Sequence, residues 1–218
     1  MIRIICIAVG YAFGLIQTGY IIARCLKTDI RSSGSGNPGT TNALRTMGWL
    51  PGLLTFAGDS LKCVAAVMVV RALFGADAPG MKIVCGMYAG LGAVLGHDFP
   101  FYFKFKGGKG VATTAGLIFA VDPWMVPVPL TVFLLISIIT RYVSIGSLSV
   151  MAILTAQFII FGQLGWLSAD PCYLPEIYAV MVLLALICVW QHRGNIRRLI
   201  AGSENKITIG SKKKDRSK

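Results

Sequence analysis

The sequence predicts an all-α, polytopic membrane helix bundle of about seven transmembrane spans, with its N-terminus outside and its C-terminus in the cytoplasm. Three observations carry this expectation. Of 218 residues, 55% are hydrophobic and only 14% charged, whereas soluble domains average about 25% charged. So few polar groups cannot clothe a water-facing surface, and lipid must be the solvent. The apolar residues gather into runs close to the ~20 residues that cross a bilayer as helix. Finally, the basic residues fall on one side of those runs.

The spans are expected at 4–23, 51–73, 81–97, 111–121, 124–140, 143–164 and 174–191. The first apolar stretch runs to about Ile22, too long for a signal-peptide core and without a small-residue cleavage site, so an uncleaved span is expected. The run 111–121 is short and is ended by Asp122-Pro123, so five or six spans are the alternatives. The connection 74–80 is short and bland. Residues 1–210 read as one membrane-embedded domain and 211–218 (SKKKDRSK) as a basic, disordered tail near anionic lipid.

The net charge of +12 reports topology here rather than nucleic-acid binding. Segments after the odd-numbered spans hold 17 of the 21 Lys and Arg residues, against Arg3, Arg71 and Lys82 opposite and Lys62 within a span. The positive-inside rule then gives the stated orientation. Six cysteines form no CxxC pair and mostly sit in apolar runs, so inert thiols are expected, with no disulfide framework and no metal.

Segments rich in Gly, Ser, Asn, Lys and His all fall on the predicted cytoplasmic side. The first is Asp29–Arg45, DIRSSGSGNPGTTNALR. Glycines at 34, 36 and 39 let backbone N–H groups approach an anion, and a helix starting near Thr40 or Thr41 adds its positive end. Ser35, Asn37 and Asn42 can add polar contacts, and Arg45 can grip a phosphate. A flexible linker is the competing reading. The second is GHDFPFYFKFKGGKGVATT from Gly96, in which Lys109 stands among Gly107, Gly108 and Gly110. It is no Walker A loop, because no Ser or Thr follows Lys109 directly and Phe103 stands where that pattern has Gly. Its aromatics suit headgroup depth, and His97 reads equally as a packing or a functional histidine.

The third segment is Thr140-Arg141-Tyr142-Val143-Ser144, which alone reads as a snorkelling span end. The fourth runs from Gln191 to Lys206, where His192, Asn195 and Leu199 share a helix face. Its arginines 193, 197 and 198 are expected on other faces, with lipid phosphates as partners, and Glu204 beside a cation. Within the second span, Asp59 and Lys62 are three apart and read as a structural ion pair.

These four segments, in this order and over nearly the whole chain, strongly resemble the bacterial acyl-phosphate:glycerol-3-phosphate acyltransferases. Departures are small: Thr40 stands where the family typically has Ala, and Cys63 where Gly is common. The resemblance implies acyl transfer from acyl phosphate to the 1-hydroxyl of sn-glycerol 3-phosphate, giving lysophosphatidic acid and phosphate. It implies no cofactor, with membrane lipids and the two substrates as partners. The acyl-phosphate headgroup is expected at Ser35, Gly36, Asn37, Gly39, Thr41, Gly107, Gly108 and Lys109. The glycerol phosphate is expected at Arg45, Lys104, Ser144, His192 and Asn195, with Asn42 and His97 completing the site. Ser35, Lys104, His192 and Asn195 are the expected catalytic set. His192, His97 or a substrate phosphate could take the hydroxyl proton, and the resemblance inclines to the phosphate.

Two other classes fit parts of the pattern. A transporter would place its polar segments at the bilayer midplane, usually in repeated halves, and neither is evident. A lipid-binding scaffold has only the basic tail in its favour.

Overall fold

The computed structural model describes residues 1–74 and 79–207. Part of the connection 74–80 and all of the tail 211–218 lie outside them. Ten α-helices form the described chain: α1 (Ile2–Gly14), α2 (Thr18–Cys25), α3 (Thr40–Met47), α4 (Trp49–Phe74), α5 (Lys82–Asp98), α6 (Val111–Val121), α7 (Pro127–Thr140), α8 (Val143–Gln163), α9 (Leu174–Gln191) and α10 (Arg193–Ile200). The described residues contain no strand.

Five stretches are long and apolar enough to cross a bilayer: Ile2–Cys25, Trp49–Phe74, Pro123–Thr140, Val143–Gln163 and Pro171–Gln191. Their outward faces carry Leu53, Leu61, Leu135, Ile139, Ile160 and Leu186, all more than half exposed. That is the inverse of a soluble protein and suits a lipid solvent. The expected 4–23 span is not one helix. It breaks at Ile16-Gln17 because the buried Gln17 side chain turns inward, its Nε2 donating to the His97 carbonyl at 3.0 Å.

Helix α5 is the hub, with fourteen of its seventeen residues buried. It meets α1 backbone to backbone. Gly10 and Gly14 on α1 oppose Gly92 and Gly96 on α5, two small-xxx-small stripes of the kind that let membrane helices touch closely. A Cβ at Gly10 or Gly14 would strike the carbonyls of Ala89 or Ala93. One at Gly92 or Gly96 would strike those of Ile7 or Tyr11.

The short α6 covers roughly 16 Å, too little to cross ~30 Å of hydrocarbon. It lies along α4, where Ser60 Oγ donates to Ala112 O at 2.9 Å and the Arg71 guanidinium reaches the carbonyls of Ala120 and Val121. It thus begins level with residue 60 of α4 and ends level with residue 71. The loop 99–110 before it is sunk below the rim that α4 starts from. At the far end of the bundle, Arg3 pairs with Glu176, its Nη2 donating to Oε2 at 2.7 Å. Cys6, Cys63, Cys85 and Cys188 are buried as expected, whereas Cys25 and Cys172 are exposed.

Overpacking a core typically costs about 1–3 kcal/mol, and a clash with backbone cannot be relieved by a rotamer change. Gly14→Val and Gly92→Val should therefore each lower the thermal unfolding midpoint in detergent by several degrees or prevent folding. A midpoint unchanged in both would show that the α1–α5 contact is not as close as described.

Candidate active site

The ends of α1/α2, α5, α7 and α9 converge at the sunken end of the bundle, and with them all four polar segments. They enclose one cavity, lined by Ser35, Asn37, Gly39, Thr40, Thr41, Asn42, Arg45, Asp59, His97, Lys109, Ser144, His192, Asn195, Arg198 and Glu204, with Phe56, Val111, Phe133 and Val143.

The first segment is a self-braced loop rather than a flexible linker. Asn42 is buried and serves as its strut. Its Oδ1 accepts from Ser35 N at 2.9 Å, and its Nδ2 donates to Ile30 O at 3.1 Å and Ser33 O at 2.9 Å. Gly34 and Gly36 both have φ in the left-handed region, and a Cβ at Gly34 would run into the Asn42 side chain. Asn37 bridges to the second segment, its Nδ2 donating to Gly107 O at 3.2 Å while its Oδ1 accepts from Gly39 N at 2.9 Å. Helix α3 starts at Thr40, as expected, and Thr40 Oγ1 is buried without a protein partner among the described residues.

In the second segment, Gly108 N donates to His97 O at 2.9 Å, and the His97 ring packs where a Gly108 Cβ would lie. Lys109 points across the cavity and donates to Asn195 Oδ1. Asn195 Nδ2 donates to Glu204 Oε1 at 2.6 Å, Arg198 Nε to Glu204 Oε2 at 2.7 Å, and Ser144 Oγ to Glu204 Oε1 at 3.3 Å. The strand of chain after α10 is tied down by Ile207 N donating to Arg141 O at 2.8 Å.

Charge makes this an anion site. Three cations, Arg45, Lys109 and Arg198, face Glu204, leaving a surplus of two positive charges, because Asp59 is paired with Lys62 at 2.9 Å. The N-terminal ends of α3 and α6 also border the cavity, each equivalent to roughly half a positive charge. Burial pushes the Lys109 ammonium down to about 8, against the pull of Glu204, so it stays mostly charged at pH 7. Burial, reinforced by Lys109, holds His192 down at about 4, so its ring is neutral. His192 Nδ1 lies 2.8 Å from Cys188 O. A carbonyl only accepts, so Nδ1 carries the hydrogen and Nε2 keeps its lone pair.

Not every expected residue is brought to the cavity. Lys104 is exposed, with left-handed φ, and lies outside it, because the turn after Phe103 swings it away from the bundle. Gly36 and Gly107 line an adjoining cleft with Arg31 and Lys106 instead, and Gly108 acts by packing on His97. Conversely, Arg198 lines the cavity rather than facing lipid phosphates. It stands three residues after Asn195, hence on the same helix face, and that spacing was the available signal. Asp59 and Glu204 also line it, although each is tied up by a cation.

The family model described as glycerol-3-phosphate acyltransferase matches residues 4–202. The chain belongs to the glycerol-3-phosphate acyltransferase family. It is an acyltransferase of phospholipid synthesis and a multi-pass integral membrane protein. It is 35% identical to the glycerol-3-phosphate acyltransferase of Thermoanaerobacter pseudethanolicus over 95% of this chain and 96% of that one. Against the protein of the same name from Shouchella clausii it is 42% identical over 91% and 92%. Among solved structures it matches PlsY (YgiH), an integral membrane glycerol 3-phosphate acyltransferase, in its glycerol 3-phosphate form. The TM-score is 0.80 at 32% identity, over 94% of this chain and 96% of that one.

Two lysines separate the geometric reading from the linear one. A hydrogen bond to a charged group contributes about 1.5–3 kcal/mol, so Lys109→Met should lower kcat/KM roughly tenfold to a hundredfold, while Lys104→Met stays within about twofold. The reverse order would place the cavity wrongly. Because kcat/KM reports the free enzyme, it should also fall as pH rises through about 8, where Lys109 loses its charge. A flat profile to pH 9 would remove Lys109 from substrate binding.

Proposed function

We propose that this chain transfers the acyl group of acyl phosphate to the 1-hydroxyl of sn-glycerol 3-phosphate, releasing lysophosphatidic acid and inorganic phosphate. The observation that carries the reading is the single cavity in which Ser35, Asn37 and Thr41 face Lys109, Ser144, Asn195 and Arg198. Both substrates are phosphorylated, and their mutual repulsion demands such an excess of fixed cations and donors. The PlsY structures, described as the glycerol 3-phosphate and lysophosphatidic acid forms, fit the same reading.

The acyl-phosphate headgroup occupies the side lined by Ser35, Asn37, Gly39, Thr41 and Lys109, with the Gly107-Gly108 turn behind it as support for Asn37 and His97. The glycerol phosphate occupies the Arg45, Ser144, Asn195 and Arg198 side. Phe56 on α4 and Phe133 on α7 flank the cavity, and α7 packs mainly on α8. The acyl tail therefore leaves toward lipid beside α7. Acyl phosphate is already activated, so the glycerol oxygen attacks the acyl carbon directly. The carbon–oxygen bond to phosphate breaks, and the hydroxyl proton ends on the released phosphate. His192 Nε2 accepts the hydroxyl's hydrogen bond and orients it. With its pKa near 4, His192 is a weaker base than a phosphate dianion, whose conjugate acid has a pKa of about 6.

The same reading sets the membrane placement. The cavity faces the cytoplasm from the bacterial inner membrane; what supports this is that a seven-pass chain with its N-terminus outside has 17 of its 21 basic residues on the cavity's side. Helix α6 completes its pass from the sunken loop rather than from the surface.

Purified protein given acyl phosphate and glycerol 3-phosphate should form lysophosphatidic acid, whereas acyl-CoA should give none. Product from acyl-CoA at a comparable rate would overturn the choice of donor, and no product from either would overturn the reaction.

A further inference from the structure

We propose that Lys62, buried in α4, is a positioning residue that locks His97 as the neutral tautomer carrying its hydrogen on Nε2. The ring then serves as a fixed hydrogen-bond donor to the phosphoryl group of the acyl donor. The inference rests on the acyltransferase reading above and deepens it.

The count of hydrogens on Lys62 fixes the tautomer of His97. Lys62 Nζ lies 2.6 Å from Ile16 O, 2.9 Å from Asp59 Oδ1 and 2.8 Å from His97 Nδ1. An ammonium group has three hydrogens and no lone pair, so three acceptors complete it. Two of these partners can only accept, and the third must accept as well. His97 Nδ1 therefore carries no hydrogen, and the neutral ring carries it on Nε2. A doubly protonated ring would turn an N–H against the ammonium.

The ring has no freedom to escape this choice. The His97 carbonyl accepts from Gly108 N at 2.9 Å and Gln17 Nε2 at 3.0 Å. Its other ring edge packs on Gly108, where any Cβ would collide with Nε2. His97 is 3% exposed and lines the cavity, and its Nε2 has no hydrogen-bond partner among the described residues. The groups facing the ring are Asp59, 3.7 Å from Nδ1, and Lys62. Asn37 reaches the same turn through Gly107 O. The Nε2 edge thus lies beside the Gly107-Gly108 turn that Asn37 ties to the first segment, next to the side assigned to the donor headgroup.

The two histidines thus hold opposite tautomers. His192 gives its Nδ1 hydrogen to Cys188 O and offers a lone pair. His97 accepts at Nδ1 and offers a hydrogen. One can receive a hydroxyl proton's hydrogen bond, and the other can only donate to an oxyanion.

The chain has just two histidines, so nitrogen NMR of the 15N-histidine-labelled protein in nanodiscs reads both tautomers, with His192→Asn giving the assignment. At pH 7 the expected spectrum shows His97 protonated on Nε2 alone and His192 on Nδ1 alone. Inorganic phosphate should move the His97 Nε2–H signal. A His97 protonated on Nδ1, or on both nitrogens, overturns the proposal. Lys62→Met combined with Asp59→Asn removes both buried charges together. It should release the His97 tautomer into exchange and raise KM for acyl phosphate about tenfold, with KM for glycerol 3-phosphate within twofold. A rise confined to glycerol 3-phosphate would overturn the assignment to the donor. If the double variant fails to fold, the wild-type spectrum and its phosphate response still decide. If the wild-type protein makes no lysophosphatidic acid, the reaction falls while the tautomer result stands separately.

Discussion

The ammonium group of Lys62 ties together three helices at the floor of the cavity. It joins the end of α1 through Ile16 O, its own helix α4 through Asp59, and the end of α5 through His97. A charge at this depth is costly unless every hydrogen is accepted, and here every one is. The backbone contact between α1 and α5 sets the distance that this bridge spans, because Gly14 and Gly96 lie directly above Ile16 and His97 in the chain. Were either helix displaced, Lys62 would lose an acceptor, and the turn that Gly108 makes on His97 would lose its support.

From that floor the site is built outward by short polar struts. Asn42 braces the first loop, Asn37 joins it to the glycine turn, and Asn195 joins Lys109 to Glu204. The buried Asp98 side chain packs against Gly110 at the start of α6, and neither of its oxygens has a partner among the described residues. Glu204 has a double effect. It subtracts one charge from the cavity, yet it fixes Ser144, Asn195 and Arg198 in place before any phosphate arrives. Pre-organised donors cost no reorganisation when charge develops, and under the proposed function the Glu204 carboxylate stands in for the substrate phosphate. The sunken floor explains the short α6 as well: non-helical backbone is tolerated at membrane depth only where protein or water covers it, and where α5 gives way to loop 99–110 the carbonyls of His97, Asp98 and Phe99 accept from Gln17, Gln191 and Tyr11 in turn.

Much of this was legible in the sequence because lipid imposes simple rules. Apolar runs located the helices within a few residues, and α3 begins at Thr40 as the glycine-rich segment predicts. The break at Gln17 was not legible, since one amide in a long apolar run gives no sign that its partner is the His97 carbonyl 80 residues away. Lys104 looked equivalent to Lys109 by charge and spacing; only the left-handed turn after Phe103 separates them. Asp59 and Lys62 were legible as a pair from their three-residue spacing. That the pair reaches His97 depends on how α4 crosses α5, and no local pattern records that.

The proposed reaction requires one cavity to hold two phosphate groups at the same time. Calorimetric titration of glycerol 3-phosphate into the protein saturated with a non-transferable acyl phosphonate tests it directly. One glycerol 3-phosphate should bind per chain with the phosphonate still in place. Mutual displacement of the two ligands would contradict it.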